Sequence, residues 1–311
     1  MKKVLFFVLI GIMAMSCNES VKIIEQGTFG IEGDNLTWAL TSDGLLTISG
    51  IGEMEDYNQY IGRTQFEPTF EPPWYFRNRN SVRIVVIEYG VTSIGNGAFA
   101  HCVNLSSVTI PNSVTAIGEN AFSSCHDLTA VTIPNSVASI GYSAFANCSN
   151  LTSINVDIYN LHYTSENGVL FDKSKTTLVQ FPAGKTGDYT IPDGVTEVGK
   201  YAFWLCFNLT SVIIPNSVTT IGNLAFYNCS NLTSVTFGSS VATIGERAFE
   251  NCNSLISITS YALTPPILDG WVFIINRVNP ISVSLHVPST SIDLYRQAFS
   301  WQRFQISAIE E

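Results

Sequence analysis

From residue 94 onward the apolar positions of the chain fall into a fixed beat. The string Ile-Gly-x-x-Ala-Phe-x-x-Cys opens at Ile94, Ile117, Ile140, Ile221 and Ile244, and Val198-Gly199 opens a sixth copy. The intervals are 23, 23, 58, 23 and 23 residues. The long one is two repeats plus twelve residues, so one unit is degenerate and carries an insertion. Between these strings runs Leu-x-x-Val-x-Ile-Pro-Asn-Ser-Val, beginning at Leu105, at Leu128 and, with Ile213 as its variable residue, at Leu209.

Each unit has a physical reading. Leu105, Val108 and Ile110 point one way and Ser107 and Thr109 the other, the near-alternation of a short strand. Pro111-Asn112-Ser113 is a turn signal. Val114 and Ile117 form a second apolar stretch, and Ala121, Phe122 and Cys125 add small, large and small inward groups. Gly118 and its equivalents are expected where the chain needs a positive φ or a close approach. One unit of 23 residues cannot bury its apolar face alone. Stacked units share a continuous core and a parallel backbone ladder, which is the logic of a solenoid.

The organisation follows from the beat. Residues 18–80, rich in Gly, aromatics and alternating positions, are expected to form a β cap. Residues 81–260 are the repeats, with an insertion over about 160–190. There Gly168–Phe171 and Thr177–Phe181, joined by Asp172-Lys173-Ser174-Lys175, predict a β-hairpin. Residues 261–311 form the other cap, with Tyr295, Phe299, Trp301 and Phe304 as candidates to cover the last coil, since an open end would expose core and strand edges.

On these residues, 94–260 resemble the BspA-like leucine-rich repeats of bacterial surface proteins, with the same Ile-Gly-x-x-Ala-Phe-x-x-Cys-x-x-Leu-x-x-Val-x-Ile-Pro pattern. Trp38, Asp43-Gly44, Leu46–Gly50, Gly52-Glu53-Met54 and Pro73-Trp74 resemble the family's N-terminal segment. Pro265-Pro266, Val287-Pro288, Tyr295 and Trp301 resemble its C-terminal one. The resemblance implies a leucine-rich repeat solenoid, mainly β with short turns or 3-10/helical pieces and a cap at each end. It also implies a cell-surface setting and a binding or adhesive role.

Six of the seven cysteines (Cys102, Cys125, Cys148, Cys206, Cys229 and Cys252) occupy one repeat position. They read as a stack of small buried thiols. Coils about 4.8 Å apart with parallel side chains hold Cβ atoms slightly too wide for disulfides. Zinc needs converging ligands, and no Cys-x-x-Cys pair exists. The seventh, Cys17, has another context. Met1-Lys2-Lys3 is a positive n-region, Val4–Met15 is apolar and too short to span a bilayer, and Ala14-Met15-Ser16-Cys17 resembles a bacterial lipobox. Cys17 is therefore the expected lipidation site. Asn18, rather than an aspartate, follows it. Together with the surface-protein resemblance, this places the chain, as an expectation, on the outer membrane and cell surface, touching the membrane through a lipid anchor only.

Composition narrows the function. The chain is 46% hydrophobic and 13% charged with a formal net charge of −10, which excludes disorder and argues against a binder of nucleic-acid phosphates. Enzyme signatures are missing: there is no Gly-x-Ser-x-Gly, His-Glu-x-x-His or EF-hand loop, and Gly184-Lys185-Thr186 lacks the leading glycine of a phosphate loop. The four histidines stand in unrelated contexts. Asp34, Asp43, Glu53, Glu55 and Asp56 read as a solvated acidic surface ahead of a calcium site. No catalytic residue, metal or cofactor is expected.

From Ile84 to Asp172 there is no Lys or Arg. The outward strand positions are instead Ser106, Ser107, Thr109, Thr129, Thr132, Thr152, Ser153, Asn155, Thr210, Ser211, Thr233, Ser234 and Thr236. Stacking would set them in parallel rows: read plainly, they are good solvent-facing strand residues; read more sharply, they make a flat face able to donate and accept hydrogen bonds. The expected partner is an extracellular or host protein bound by a monomer. The alternative is a glycan, which would need exposed aromatic platforms such as Trp74 or Tyr163. Two further groups stand out: Tyr57, Tyr60, Trp74, Tyr75 and Phe76 beside Arg77, Arg79 and Arg83, which read as core filling ahead of a binding patch, and Tyr159, His162 and Tyr163 next to the hairpin.

Overall fold

The computed structural model describes residues 20–57, 71–273 and 283–310. The expected leader, the lipobox with Cys17 and the aromatic Tyr60 lie outside them. The repeat forms a β-solenoid of about nine turns with little helix. Each coil adds a strand to one parallel array and a shorter one to a second. Identical repeat positions stack at the 23-residue period: Ser211, Ser234 and Ser257 lie side by side, as do Val212, Val235 and Ile258. Within Ala130–Ile133, Val131 and Ile133 are buried and Thr132 is exposed, the expected alternation. The proline turns are closed by backbone bonds, Val114 N–H to Pro111 O at 3.1 Å and Val218 N–H to Pro215 O at 3.2 Å.

The corners resolve the question the repeat glycine posed. Gly118 and Gly141 do not have positive φ; they sit where coils touch. A Cβ on Gly141 would stand 2.4 Å from the amide nitrogen of Glu119. The left-handed conformation falls instead on two other repeat positions, such as Asn120 (φ 54) with Ser124 (φ 61) and Leu224 (φ 57) with Asn228 (φ 59); in the coil of Phe99 they are Gly97 (φ 65) and His101 (φ 56). Two such residues around Ala-Phe fold the segment tightly enough to aim the phenylalanine inward.

Those phenylalanines stack along the core. Ring centroids run Phe99–Phe122 at 5.3 Å and Phe122–Phe145 at 5.5 Å. In the second half they run Phe181–Phe203, Phe203–Phe226 and Phe226–Phe249 at 4.8, 4.5 and 4.9 Å. Trp74 stacks on Phe99 at the N-terminal end, with its indole N–H donating to Ala98 O. The cysteines line up beside them, all six buried with free thiols. Cys125, Cys148, Cys229 and Cys252 each donate to the carbonyl of the phenylalanine one coil back, at 3.1–3.2 Å.

The insertion divides this core. The predicted hairpin is present as Val169–Asp172 against Thr177–Gln180, with Phe171 opposite Leu178. A third strand, Tyr163–Glu166, was not anticipated. It pairs with Val169–Asp172 across a two-residue turn, Asn167-Gly168, both with positive φ (51 and 78) as that hairpin type requires. Leu170 packs into the core that runs from Phe29 to Ile154, while Val169 and Phe171 belong to the core that continues to Phe304. The added strands also serve the coils they interrupt: the Tyr163 hydroxyl accepts the Ile140 N–H at 3.0 Å, and Gly168 O accepts the Ile154 N–H at 2.8 Å.

At the N-terminal end, Ile23–Phe29, Leu36–Thr41 and Leu45–Gly50 form an antiparallel meander, and Ile84–Ile87 joins it in parallel to start the first array. At the other end the first array continues through Ser284–Val287 and Gln305–Ala308. Tyr295, Trp301 and Phe304 are buried there, with the Trp301 indole N–H donating to Pro266 O at 2.8 Å. Phe299 corrects the expectation: just past the helix Ile292–Gln297 the chain turns extended at Ala298, and Phe299 projects into solvent.

Candidate functional site

The thirteen predicted residues do share the first array, on three adjacent lines with different chemistry. Ser106, Thr129, Thr152, Thr210 and Thr233 occupy the line leading into the strands. Their hydroxyls are largely committed: Ser106 donates to Arg83 O, Thr152 to Thr129 O and Thr233 to Thr210 O, each reaching one coil back. These residues reinforce the ladder where the strand begins.

The second line carries Ser107, Ser153, Ser211 and Ser234, and the third carries Thr109, Thr132, Asn155 and Thr236. Ala130 and Ile213 interrupt them. Ser153 donates to Asn155 Oδ1 at 2.7 Å. Ser107, Thr109, Thr132, Ser234 and Thr236 have no hydrogen-bond partner among the described residues, so theirs are the hydroxyls open to a ligand. Their own backbones are held in the sheet, which leaves little entropy to lose on contact.

The face is not one continuous surface. The sheet carrying Ser153–Val156 ends there, and Gly187–Thr190 begins the next as an edge strand. The turn Asn167-Gly168 stands between: a Cβ on Gly168 would lie 2.9 Å from the Ser153 Cα.

Sequence reasoning missed several members. Asp188 lies in register with Ser211, and the Thr210 hydroxyl donates to it at 2.7 Å. Hydrogen bonds from Thr210 and Ser211 hold its carboxyl below the usual carboxylate range. The second line continues through Ser257, Ser284 and Gln305, and the third through Thr259, His286 and Ser307. Ser257-Ile258-Thr259 was visible at the period after Ser234-Val235-Thr236. The later pairs lie beyond a break in the spacing.

The other candidates resolve individually. Trp74 and Tyr57 are core, so Trp74 is not an exposed platform for a glycan. Tyr163 is half-buried, with its hydroxyl engaged by Ile140. Arg79 lies 4.8 Å from the Tyr75 ring centroid and donates to its hydroxyl. The acidic side chains of the cap go to separate partners: Asp34 accepts from Thr28, Asp43 from Thr41 and Asp56 from the Asn96 N–H. Among the described residues no group of three or more His, Cys, Asp or Glu converges as a metal site, and no helix is long and apolar enough to cross a membrane. Burial pushes the Cys102, Cys148 and Cys252 thiols up to about 12, far from a reactive thiolate.

Comparison with known proteins agrees with this architecture. A profile of the BspA type leucine-rich repeat region matches residues 73–187 and 180–302. A leucine-rich repeat protein from Eubacterium ventriosum is 26% identical, with a TM-score of 0.52 over 92% of this chain and 85% of that one. A leucine-rich cell-surface protein from Faecalibacterium prausnitzii is 23% identical, with a TM-score of 0.56 over 89% and 93%. The pneumococcal vaccine antigen PcpA is 18% identical, with a TM-score of 0.51 over 92% and 100%. The last two show likeness of fold alone. No curated protein matches the chain.

Proposed function

The chain belongs to the BspA-type leucine-rich repeat family, and from that premise we propose that it is a non-enzymatic, surface-displayed binding scaffold that contacts an extracellular or host protein through its first parallel array. The observation that carries the reading is the set of unpartnered outward hydroxyls, Ser107, Thr109, Thr132, Ser234 and Thr236, mounted on a backbone whose own hydrogen bonds close within the solenoid. Such a face offers donors and acceptors in fixed rows on a rigid support. A reactive centre would need converging titratable groups; this face offers Asp188, tied to Thr210, and His286, whose ring bonds Ser307.

The setting is part of the proposal. The lipobox-like Ala14-Met15-Ser16-Cys17 would give a lipid anchor at Cys17 and an outer-membrane position, with adhesion as the role. Protease treatment of intact cells, compared with lysed cells, tests the placement. Rapid loss from intact cells is expected. Protection until lysis would turn the reading toward a periplasmic role in envelope assembly.

A further inference from the structure

Between the strands Ser153–Val156 and Tyr163–Glu166 the chain leaves the repeat, and the tip of this excursion exposes Ile158, Tyr159 and Leu161 at 83%, 77% and 77% of their surfaces. A slack loop would fold such side chains back onto the protein. This one is pinned. Asn160, in their midst, is fully buried. Its side-chain N–H groups donate to Pro134 O and Val137 O at 2.8 and 2.9 Å, and its Oδ1 accepts the backbone N–H groups of His162 and Tyr163 at 2.8 Å each. Its carbonyl accepts from Lys173 Nζ, and Asp157 Oδ1 accepts the Tyr159 N–H at 2.8 Å. The side-chain amide has both donors and its acceptor engaged. The three apolar side chains are held outward by design of the backbone beneath them, so ordering them on contact costs little.

We propose that this tip is a docking element that inserts into an apolar cleft of a partner protein whose rim is basic. The inference rests on the reading of the chain as a binding scaffold, but not on the hydroxyl face. Charge selects the occupant. The stretch Ile84–Asp172 carries Glu88, Glu119, Asp127, Asp157, Glu166 and Asp172 and no Lys or Arg; of the cations that follow, Lys175 pairs with Glu166 and Lys173 bonds the Asn160 carbonyl, so the region keeps a net negative charge that complements a cationic rim. The same lack of cations disfavours a bilayer, because interfacial segments set Lys and Arg beside their apolar residues; Lys173 is already engaged by Asn160. Tip-to-tip pairing of two copies would bury three side chains from each, far below the roughly 1,200 Å² of a stable interface. Aromatic anchors in desolvated pockets carry much of the affinity in protein contacts.

The test selects a phage-displayed random peptide library against the full chain and titrates the enriched peptides against three proteins: wild type, Ile158→Ser/Tyr159→Ser/Leu161→Ser, and Ser107→Arg/Thr132→Glu on the hydroxyl face. The serine changes are at exposed positions and should leave the melting temperature unchanged. The expected result is peptides combining apolar side chains with Lys or Arg, bound more than about tenfold more weakly by the triple-serine variant, the scale of a lost hot spot, and unchanged by the hydroxyl-face variant. Peptides bound equally by the triple-serine variant overturn the proposal, and those sensitive only to the hydroxyl face would do so while leaving the scaffold reading in place. Tip-dependent binding to phosphatidylcholine vesicles, or a tip-dependent dimer in sedimentation, also overturns it in favour of those occupants.

Discussion

Leu170 and Phe171 are neighbours in the chain and members of different cores: Leu170 completes the N-terminal half of the solenoid and Phe171 the C-terminal half. A strand alternates its side chains, so Val169–Asp172 works as a partition, giving one face to each side. The stacked phenylalanines divide at the same place, with Phe145 ending one series and Phe181 beginning the next.

The partition makes the two halves separable in stability. Leu170→Ala should cost about 2–5 kcal/mol and Phe171→Ala about 3–5 kcal/mol, the usual range for buried truncations. Hydrogen exchange read by mass spectrometry should show Leu170→Ala weakening protection mainly in the strands before Val156, and Phe171→Ala mainly in those after Thr177. Equal loss in both halves from either variant would mean a single cooperative core.

The repeat glycines answer to contact rather than to φ. Gly141→Ala puts a Cβ 2.4 Å from the Glu119 amide nitrogen, a backbone atom that can only move with its coil. Gly194→Ala meets nothing within 4 Å and bears only its positive φ of 95°. The melting temperature should fall markedly more for Gly141→Ala, whose overpacking costs roughly 1–3 kcal/mol or more. The opposite order would show that the coils can slide apart.

The thiol stack sets an alkaline limit. Burial raises all six thiols, with Cys102, Cys148 and Cys252 at about 12 against an ordinary 9.0. Above the ordinary value the unfolded chain releases protons that the native chain retains, so this contribution is intact below pH 9, declines as pH rises and is lost through the folded values. The slope is roughly 1.4 kcal/mol per thiol per pH unit. Urea unfolding at stepped pH should show it, and Cys229→Ala should make the alkaline limb shallower. An unchanged slope in that variant would mean the thiol ionises without unfolding.

Much of this was written in the sequence because one period governs it. Val131 in, Thr132 out and Pro134 turning follow from residue type alone, and the stack of cysteines follows from the count of 23. What stayed hidden departs from the period or depends on neighbouring coils. The strand Tyr163–Glu166 has polar, half-buried residues without alternation, although Asn167-Gly168 marked its turn. The left-handed positions pass unnoticed because Leu205, Leu224 and Tyr201 share them with Asn and Ser. That Ser106, Thr152 and Thr233 hold the coil behind them, while Ser107 and Thr132 do not, is a matter of one residue's offset along the strand. Trp74, flanked by Tyr75 and Arg79, was legible as core filling ahead of a binding patch, and its place is at the head of the phenylalanine stack.

The central claim is that the outward hydroxyls of the first array form the contact surface. The most direct measurement probes one array of secreted and extracellular proteins in parallel with wild type and with Ser107→Arg/Thr132→Glu. Ser153 is left alone because Gly168 packs against it. Both substitutions lie at exposed strand positions, so the melting temperature should match wild type within the small effects usual for surface changes. The account predicts that wild-type signals fall by more than about tenfold in the variant, the scale of a lost hot spot. Signals of equal strength from both proteins would contradict it.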